Sequence, residues 1–401
     1  VRIVVSPADA LFDVAASTTI SGLPAGARVT VTASQRDDAS GQMWTSSAVF
    51  MVGSSGVLPL SQPPVSGSYQ GSDEMGLVET LAPPELPGGV PQFLETAGAG
   101  KFDIELGASI DGHVVATATM TRQRETVTPR TETPAATGVY GRLFLPAHET
   151  GRKPAVLVFG GSEGGLSGGV VEHAAALAAQ GYPALAIAYF DEPGLPSTLQ
   201  DVPLEYFVKA LNLLAKQPGV DANHLLVWGT SRGGEAALLL GAHFPNLVHG
   251  VIAAVPSAVV WGSYPETGSA AWTLDGKPVP YASSADWNNP DPADAQDAII
   301  PVEQTRGPVF LVCGGEDQVW ASCPYTDAIT ARLTQHRFGY PVTALRYPAA
   351  GHYGGDLNPY LPFADAAGPT AAGAETGGSE LADQQAEADS WPRLLSFLAR
   401  V

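Results

Sequence analysis

Apolar and polar residues alternate in short runs over the first 125 positions, as in RVTVTAS at 28–34, FDIEL at 102–106 and HVVATATM at 113–120, with Gly, Pro, Asn or Asp clusters between the runs. A period of two, punctuated at that spacing, predicts a small all-β immunoglobulin-like sandwich over residues 1–125. The pattern lapses at TVTPRTETPAAT, residues 126–137, where two prolines disfavour regular structure and predict a linker. From residue 138 the period changes. Near-continuous apolar runs (PAVLVF, ALAIAYF, LLVWG, GVIAAV, PVFLVC) alternate with helical stretches such as LEYFVKALNLLAKQ. Strands apolar on both faces, separated by helices, predict an α/β domain over 138–401 with a mainly parallel sheet covered by helices.

Two long inserts interrupt this alternation. Residues 261–306 carry Trp272, Tyr281, Trp287 and several prolines. A loop of that length in a compact domain is usually functional or disordered, and its aromatics suggest a cap over a site, with packing onto the N-terminal domain as the alternative. The second, 364–379, is rich in Gly, Ala and Thr and is expected to be mobile. It leads into a closing helix whose Leu395, Phe397 and Leu398 dock on the sheet.

The run LLVWGTSRGGEAALLL at 225–240 reads as a buried strand turning sharply into a helix, with Ser231 at the turn and Gly229 and Gly233 two residues to either side. This is the pattern of a nucleophile elbow. The serine takes a strained conformation that exposes its hydroxyl, and strand and helix pass too closely for a side chain at either flank. The same G-x-S-x-G spacing recurs around Ser162 and Ser167, so context must choose. Alanines and leucines after Ser231 propagate a helix at once, whereas EGGLSGG after Ser162 keeps the backbone irregular and Ser167 has no strand directly before it.

The glycine-rich turn at 159–165 then acquires a different role. An acyl-transfer site needs amide N–H groups aimed at the developing oxyanion. In an α/β-hydrolase one comes from the residue after the nucleophile, here Arg232, and one from the loop after the third strand. Gly161 or Ser162 supplies the second. A phosphate-cradling loop is disfavoured because the segment lacks both the Gly-Lys-Ser/Thr ending of a P-loop and the G-x-G-x-x-G of a dinucleotide site.

Hydroxyl attack at neutral pH needs a base, and an imidazole base needs a carboxylate to fix its tautomer. The chain order in this fold is nucleophile, acid, histidine. PVFLVCGGEDQVWAS is an apolar strand ending in a Gly-Gly turn with Glu316 and Asp317 at its tip. The shorter Asp317 is preferred because it holds an imidazole with less freedom. Among the eight histidines, His352 follows the acid on a loop after the strand VTALRYP. His113, His148, His173, His224 and His249 read as surface or packing residues, and His243 and His336 as helix-end caps.

Several stretches extend the pattern beyond these sites. VSPADALFDV, PVSGSYQGSDEMGLVETL, FGGSEGG, ALAIAYFDEPGLP, VWGTSRGGEAALLL, CGGEDQVWASCPY and YPAAGHYGG resemble, in order and spacing, the acyl-CoA thioesterase and bile acid-CoA:amino acid N-acyltransferase family. The resemblance runs almost end to end. It implies an α/β-hydrolase fold preceded by a β-sandwich, with a triad at Ser231, Asp317 and His352 and no cofactor. Amidating members carry Cys at the nucleophile position and thioesterases mostly Ser, so Ser231 implies hydrolysis of an acyl thioester. Transfer of the acyl group to an amine or alcohol, and carboxylester hydrolysis, are the alternatives that keep the same residues.

Composition refines this reading. At 401 residues and 45% hydrophobic, the chain suffices for one large domain and one small one. A net charge of −20 argues against nucleic-acid partners. It also sits awkwardly with the phosphates of CoA, for which Arg232, Arg306, Arg332, Arg337 and Arg346 are the available cations; a carrier-protein thioester is the other substrate expected. No apolar stretch is long enough to span a membrane, VRIVVSPADA lacks a secretory pattern, and the cytoplasm is the expected compartment. Two cysteines without ligand-spaced histidines predict no metal site. In a reducing cytosol Cys313 and Cys323 are expected to be packed thiols rather than a bridge.

Overall fold

The computed structural model describes all residues except 86–91, 97–99, 149–150, 284–286, 293–294 and 365–375. Residues 2–123 build two sheets. One has three strands and the other six, and they enclose a core that includes Ile20, Val29, Val31, Trp44, Phe50 and Leu106. Arg28–Arg36 and Met43–Met51 pair antiparallel with strictly alternating burial, as the period of two requires. One pairing departs from the antiparallel rule: Asp9–Leu11 runs parallel to Thr121–Gln123.

The expected linker is more ordered than its prolines suggested. Arg130–Glu132 forms the edge strand of the large sheet, antiparallel to Tyr140–Phe144, and Pro134–Thr137 is a helical turn with proline at its start. Both placements suit proline, which sits just outside the strand in one case and at a helix position whose N–H has no partner in the other.

The large sheet has eight strands. After the two antiparallel edge strands, Ala184–Ala188, Lys153–Phe159, Val220–Thr230, Gly250–Ala254, Val309–Gly314 and Val342–Tyr347 lie side by side, all parallel. Alternate residues feed two cores. Leu157, Val227, Ala253 and Leu311 face the helices Leu204–Leu214, Arg232–His243 and Ser322–Gln335. Val158, Trp228, Ile252 and Phe310 face Gly168–Ala179 and the closing helix Glu380–Leu398, where Leu394, Phe397 and Leu398 are buried. Among the described residues no helix is long and apolar enough to cross a membrane.

The two domains are joined by a buried charge pair. Arg124, from the last turn of the sandwich, binds Glu172 in the helix Gly168–Ala179, and Glu172 also accepts from the Thr96 amide at 2.6 Å. Burial pushes Arg124 down to about 9. Gln92–Phe93 adds a short antiparallel pairing to Phe363–Ala364.

Two expectations about loops are decided here. The described residues of the 261–306 insert pack on the elbow side of the sheet: Trp261 and Trp272 are buried in that core, and the Trp272 indole donates to Glu235 of the elbow helix at 2.6 Å. The expectation for the second insert falls largely on 365–375, outside the described residues.

The expectation of two free thiols is overturned. Cys313 and Cys323 form a disulfide with their Cα atoms 5.0 Å apart. The chain reverses at Gly314–Gly315 and returns at the head of the helix Ser322–Gln335, which brings the two cysteines within bridging range.

Candidate active site

All three predicted site residues lie on loops at the same edge of the sheet, the C-terminal ends of its parallel strands, where open α/β sheets form sites. Register places them in neighbouring crevices. Thr230 pairs with Ala254 and Ala254 with Val312, while Gly314 pairs with Tyr347.

Ser231 has φ +59 and ψ −122 and caps the helix Arg232–His243. A non-glycine residue at positive φ is costly and persists only where its surroundings enforce it. The enforcement is visible. The Ser231 amide donates to Ala254 O at 2.9 Å, and the flanking glycines leave no space: a Cβ on Gly229 would lie 2.0 Å from Gly233 O, and one on Gly233 would lie 2.2 Å from Gly160 O. Neither Ser162 nor Ser167 has positive φ, so the geometry separates the three look-alike motifs as their contexts did. Val255, next to the Ser231 anchor, is also held at φ +40.

Arg232 sits at the first helical position, where the amide N–H has no intrahelical partner. Its guanidinium turns the other way, donating to Trp261 O at 2.9 Å and Gly262 O at 3.0 Å and pairing with Glu235 at 3.1 Å. Burial raises Glu235 to about 7 despite these donors. The Arg232 side chain thus fastens the insert to the elbow helix.

Asp317 and His352 are in contact, Oδ2 to Nδ1, at 2.9 Å. The Asp317 side chain is 1% exposed, and its other oxygen accepts from the Val319 and Trp320 amides at 3.0 and 3.3 Å. Neighbouring Glu316 is exposed, which favours the shorter acid. Burial works to lower the His352 pKa, but the charges of Asp317, Asp356 and Glu163, with the Asp317 hydrogen bond, outweigh it and hold it above the usual imidazole value. Trp320 stands edge-on to the imidazole, ring centres 6.1 Å apart, anchored by its indole N–H on Val255 O at 3.0 Å.

Three supports have no local signature in the sequence. Thr376 O accepts from His352 N at 2.9 Å and from Gln318 N at 3.2 Å, so one short strap ties the acid loop to the histidine loop. Gly377 bridges to Asp317 at φ +77, and a Cβ there would lie 1.7 Å from Glu316 O. Asp383, from the closing helix, accepts from Gly351 N at 2.6 Å and is pushed up to about 7 by burial. The third is Glu163, whose carboxylate accepts from the Gly161 amide.

Of the arginines expected to serve CoA phosphates, Arg232, Arg332 and Arg346 are bound to Glu235, Glu303 and Asp327. Arg306 lies instead beside a cavity of about 610 Å³ with His224, His249 and Arg400, at the opposite end of the strands from Ser231.

Comparison with known proteins agrees with this architecture. Residues 202–401 match the family described as BAAT / Acyl-CoA thioester hydrolase C terminal, and residues 13–132 match the Acyl-CoA thioester hydrolase/BAAT N-terminal region. Human acyl-coenzyme A thioesterase 1 is 29% identical over 395 residues, covering 94% of this chain and 91% of that protein. Mouse acyl-coenzyme A thioesterase 6 is 29% identical over 407 residues, 96% and 92% of the two chains. Among solved structures, one described as a putative dienelactone hydrolase of Klebsiella pneumoniae covers 69% of this chain and 100% of its own at 18% identity, with a TM-score of 0.47. With both halves matched in order, the chain belongs to the acyl-CoA thioester hydrolase/BAAT family.

Proposed function

We propose that this chain is a serine hydrolase that cleaves acyl thioesters, acyl-CoA foremost, through an acyl-enzyme on Ser231. The observation that carries the reading is a strained elbow serine on the same sheet edge as a buried Asp317–His352 pair, in a chain whose relatives are named acyl-coenzyme A thioesterases. In this mechanism His352 Nδ1–H donates to Asp317, which leaves Nε2 free to take the Ser231 proton as the hydroxyl attacks the thioester carbonyl. The amides of Arg232 and Gly161 receive the oxyanion. Gly161 is chosen over Ser162 because a methyl on it would lie 2.8 Å from the Ser231 Cβ, so its backbone borders the nucleophile. Collapse expels a thiolate, which needs little protonation. The leaving thiolate takes the proton held by His352 and departs as free thiol; neutral His352 then deprotonates a water that attacks the acyl-serine, and returns that proton to Ser231 Oγ as the carboxylic acid is released. A serine ester is aminolysed less readily than a cysteine thioester, which favours hydrolysis over transfer.

The Cys313–Cys323 bridge supports work in an oxidising compartment over the cytoplasm, since glutathione and thioredoxin keep cytosolic thiols reduced.

The test is free-thiol release from acyl-CoAs of graded chain length, with Ser231→Ala as control. Release that depends on Ser231 and peaks at one chain length is expected. Absence of release from folded protein overturns acyl-CoA hydrolysis and directs assays to carrier-bound thioesters, oxygen esters or an acceptor.

A further inference from the structure

The Gly161 amide, the donor just assigned to the oxyanion, already holds an anion. Both carboxylate oxygens of Glu163 lie within hydrogen-bond distance of it, at 3.0 and 2.9 Å. The side chain folds back over its own loop to reach that position. A Cβ on Gly160 would lie 2.0 Å from Glu163 Oε1, so only glycine at 160 leaves room for the carboxylate. A Cβ on Gly161 would lie 2.8 Å from the Ser231 Cβ and 3.0 Å from Glu163 Oε2, which makes nucleophile and carboxylate neighbours across that residue.

The carboxylate also belongs electrostatically to the site. His352, Asp356 and Tyr189 all feel its charge, and the Tyr189 hydroxyl fixes the loop from behind by donating to Gly160 O and Gly161 O at 3.0 and 2.8 Å. Glu192 accepts from the Leu166 amide of the same loop at 3.2 Å. Glu163 nevertheless retains solvent-exposed surface and is followed by two glycines at φ +70 and +65. Burial within the surrounding protein raises its pKa in spite of the Gly161 hydrogen bond.

We propose that Glu163 is the resting occupant of the oxyanion hole, a carboxylate that the substrate carbonyl displaces from the Gly161 amide and that returns to it as the acid product leaves. The inference rests on the assignment of Ser231 as nucleophile. One N–H cannot satisfy two anionic oxygens that repel each other, so Glu163 competes with the tetrahedral oxyanion and with the product carboxylate alike. Its competition disfavours any ligand that does not gain binding elsewhere along an acyl chain. It also protects the enzyme from inhibition by its own carboxylate product, whose charge matches the one it must evict. A hydrogen bond to a charged group is worth enough that its removal is expected to change these competitions by about tenfold or more.

The experiment compares wild type, Glu163→Gln and Glu163→Ala for two quantities: the rate at which Ser231 is phosphonylated by a fluorophosphonate, and inhibition of thioester hydrolysis by a fatty carboxylate. Both variants are expected to label faster, Ala by about tenfold or more and Gln by less, because Gln keeps an oxygen on the amide but loses the charge. Both are expected to be inhibited by the carboxylate at lower concentration. The acid limb of the labelling profile is expected to move to lower pH, since His352 loses one of the anions that raise it, with Asp317 and Asp356 unchanged. Labelling at or below the wild-type rate with unchanged carboxylate inhibition, in the near-isosteric Gln variant, overturns the proposal. Failure of wild type to label at Ser231 overturns the nucleophile assignment instead, and the two failures are therefore distinct.

Discussion

Opening the Cys313–Cys323 bridge is expected to destabilise the protein by about 3 kcal/mol while leaving most of its catalytic rate. The bridge spans a sequence separation of 10. Loop-closure entropy for a ring of that size, −2.1 − 1.5R ln n, gives roughly 2.8 kcal/mol of constraint on the unfolded chain at 25 °C. The loop it closes carries Asp317, yet other contacts also hold that loop. Glu316 N donates to Ala350 O at 2.9 Å, Gln318 N to Thr376 O at 3.2 Å and the Trp320 indole to Val255 O at 3.0 Å. The native geometry at Asp317 is thus over-determined, and the bridge acts chiefly through the unfolded state. The assay is urea unfolding of oxidised wild type, reduced wild type and Cys313→Ala/Cys323→Ala, with thioester turnover measured on each folded sample. Reduced wild type isolates the bridge from the packing that the double variant also loses, because both cysteines are buried. An unfolding free energy unchanged by reduction refutes the entropic argument. A thousandfold loss of rate in the folded, reduced protein refutes the claim that the hydrogen bonds suffice to hold Asp317.

Three further outcomes follow from the site. Asp317→Asn is expected to lower kcat by about 10⁴, since the amide presents the wrong partner to the imidazole. The acid limb of kcat/KM, expected above the ordinary imidazole value in the wild type because Asp317 raises His352, is expected to move to lower pH in this variant; an unmoved limb in a full pH–rate profile counts against His352 as the titrating base. Gly377→Ala puts a methyl 1.7 Å from Glu316 O at a residue already at φ +77, so both stability and kcat are expected to fall, whereas Gly276→Ala, with a similar φ and open space around it, loses only stability. Asp356, Asp383 and Glu380 are pushed up to about 8, 7 and 9 by burial. The native state therefore binds more protons than the unfolded chain between about pH 4 and 9, and stability falls as pH rises through that window. Urea unfolding at pH 5.5 and 8.5 checks the sign, and greater stability at the higher pH contradicts it.

The legible parts of this site are those encoded within a few residues. Ser231 could be read because an apolar strand, two glycines and an alanine-leucine helix lie in one sixteen-residue run, and the close approach those glycines permit is between adjacent elements. Asp317 and His352 were legible for the same reason, each on a turn directly after an apolar strand. The pairing of Glu163 with Gly161 is equally local, but nothing in FGGSEGG distinguishes a side chain that folds back from one that points to solvent. The direction of the 261–306 insert was not legible, because Trp272 finds Glu235 only when residues 37 apart in sequence meet.

The sequence by itself determined the order of the N-terminal sheets and the α/β sheet and the type of each, and it singled out Ser231, Asp317 and His352 as candidates, since periodicity and turn chemistry are short-range constraints that survive in one dimension. Only the tertiary structure decided that Cys313 and Cys323 bridge, that Thr376 O joins the acid loop to the histidine loop, that Arg124 locks the sandwich to the catalytic domain through Glu172, and that a carboxylate rests on Gly161. Each of these depends on distance and desolvation between groups that the chain brings together late, and burial sets their energies only once the surrounding protein is in place.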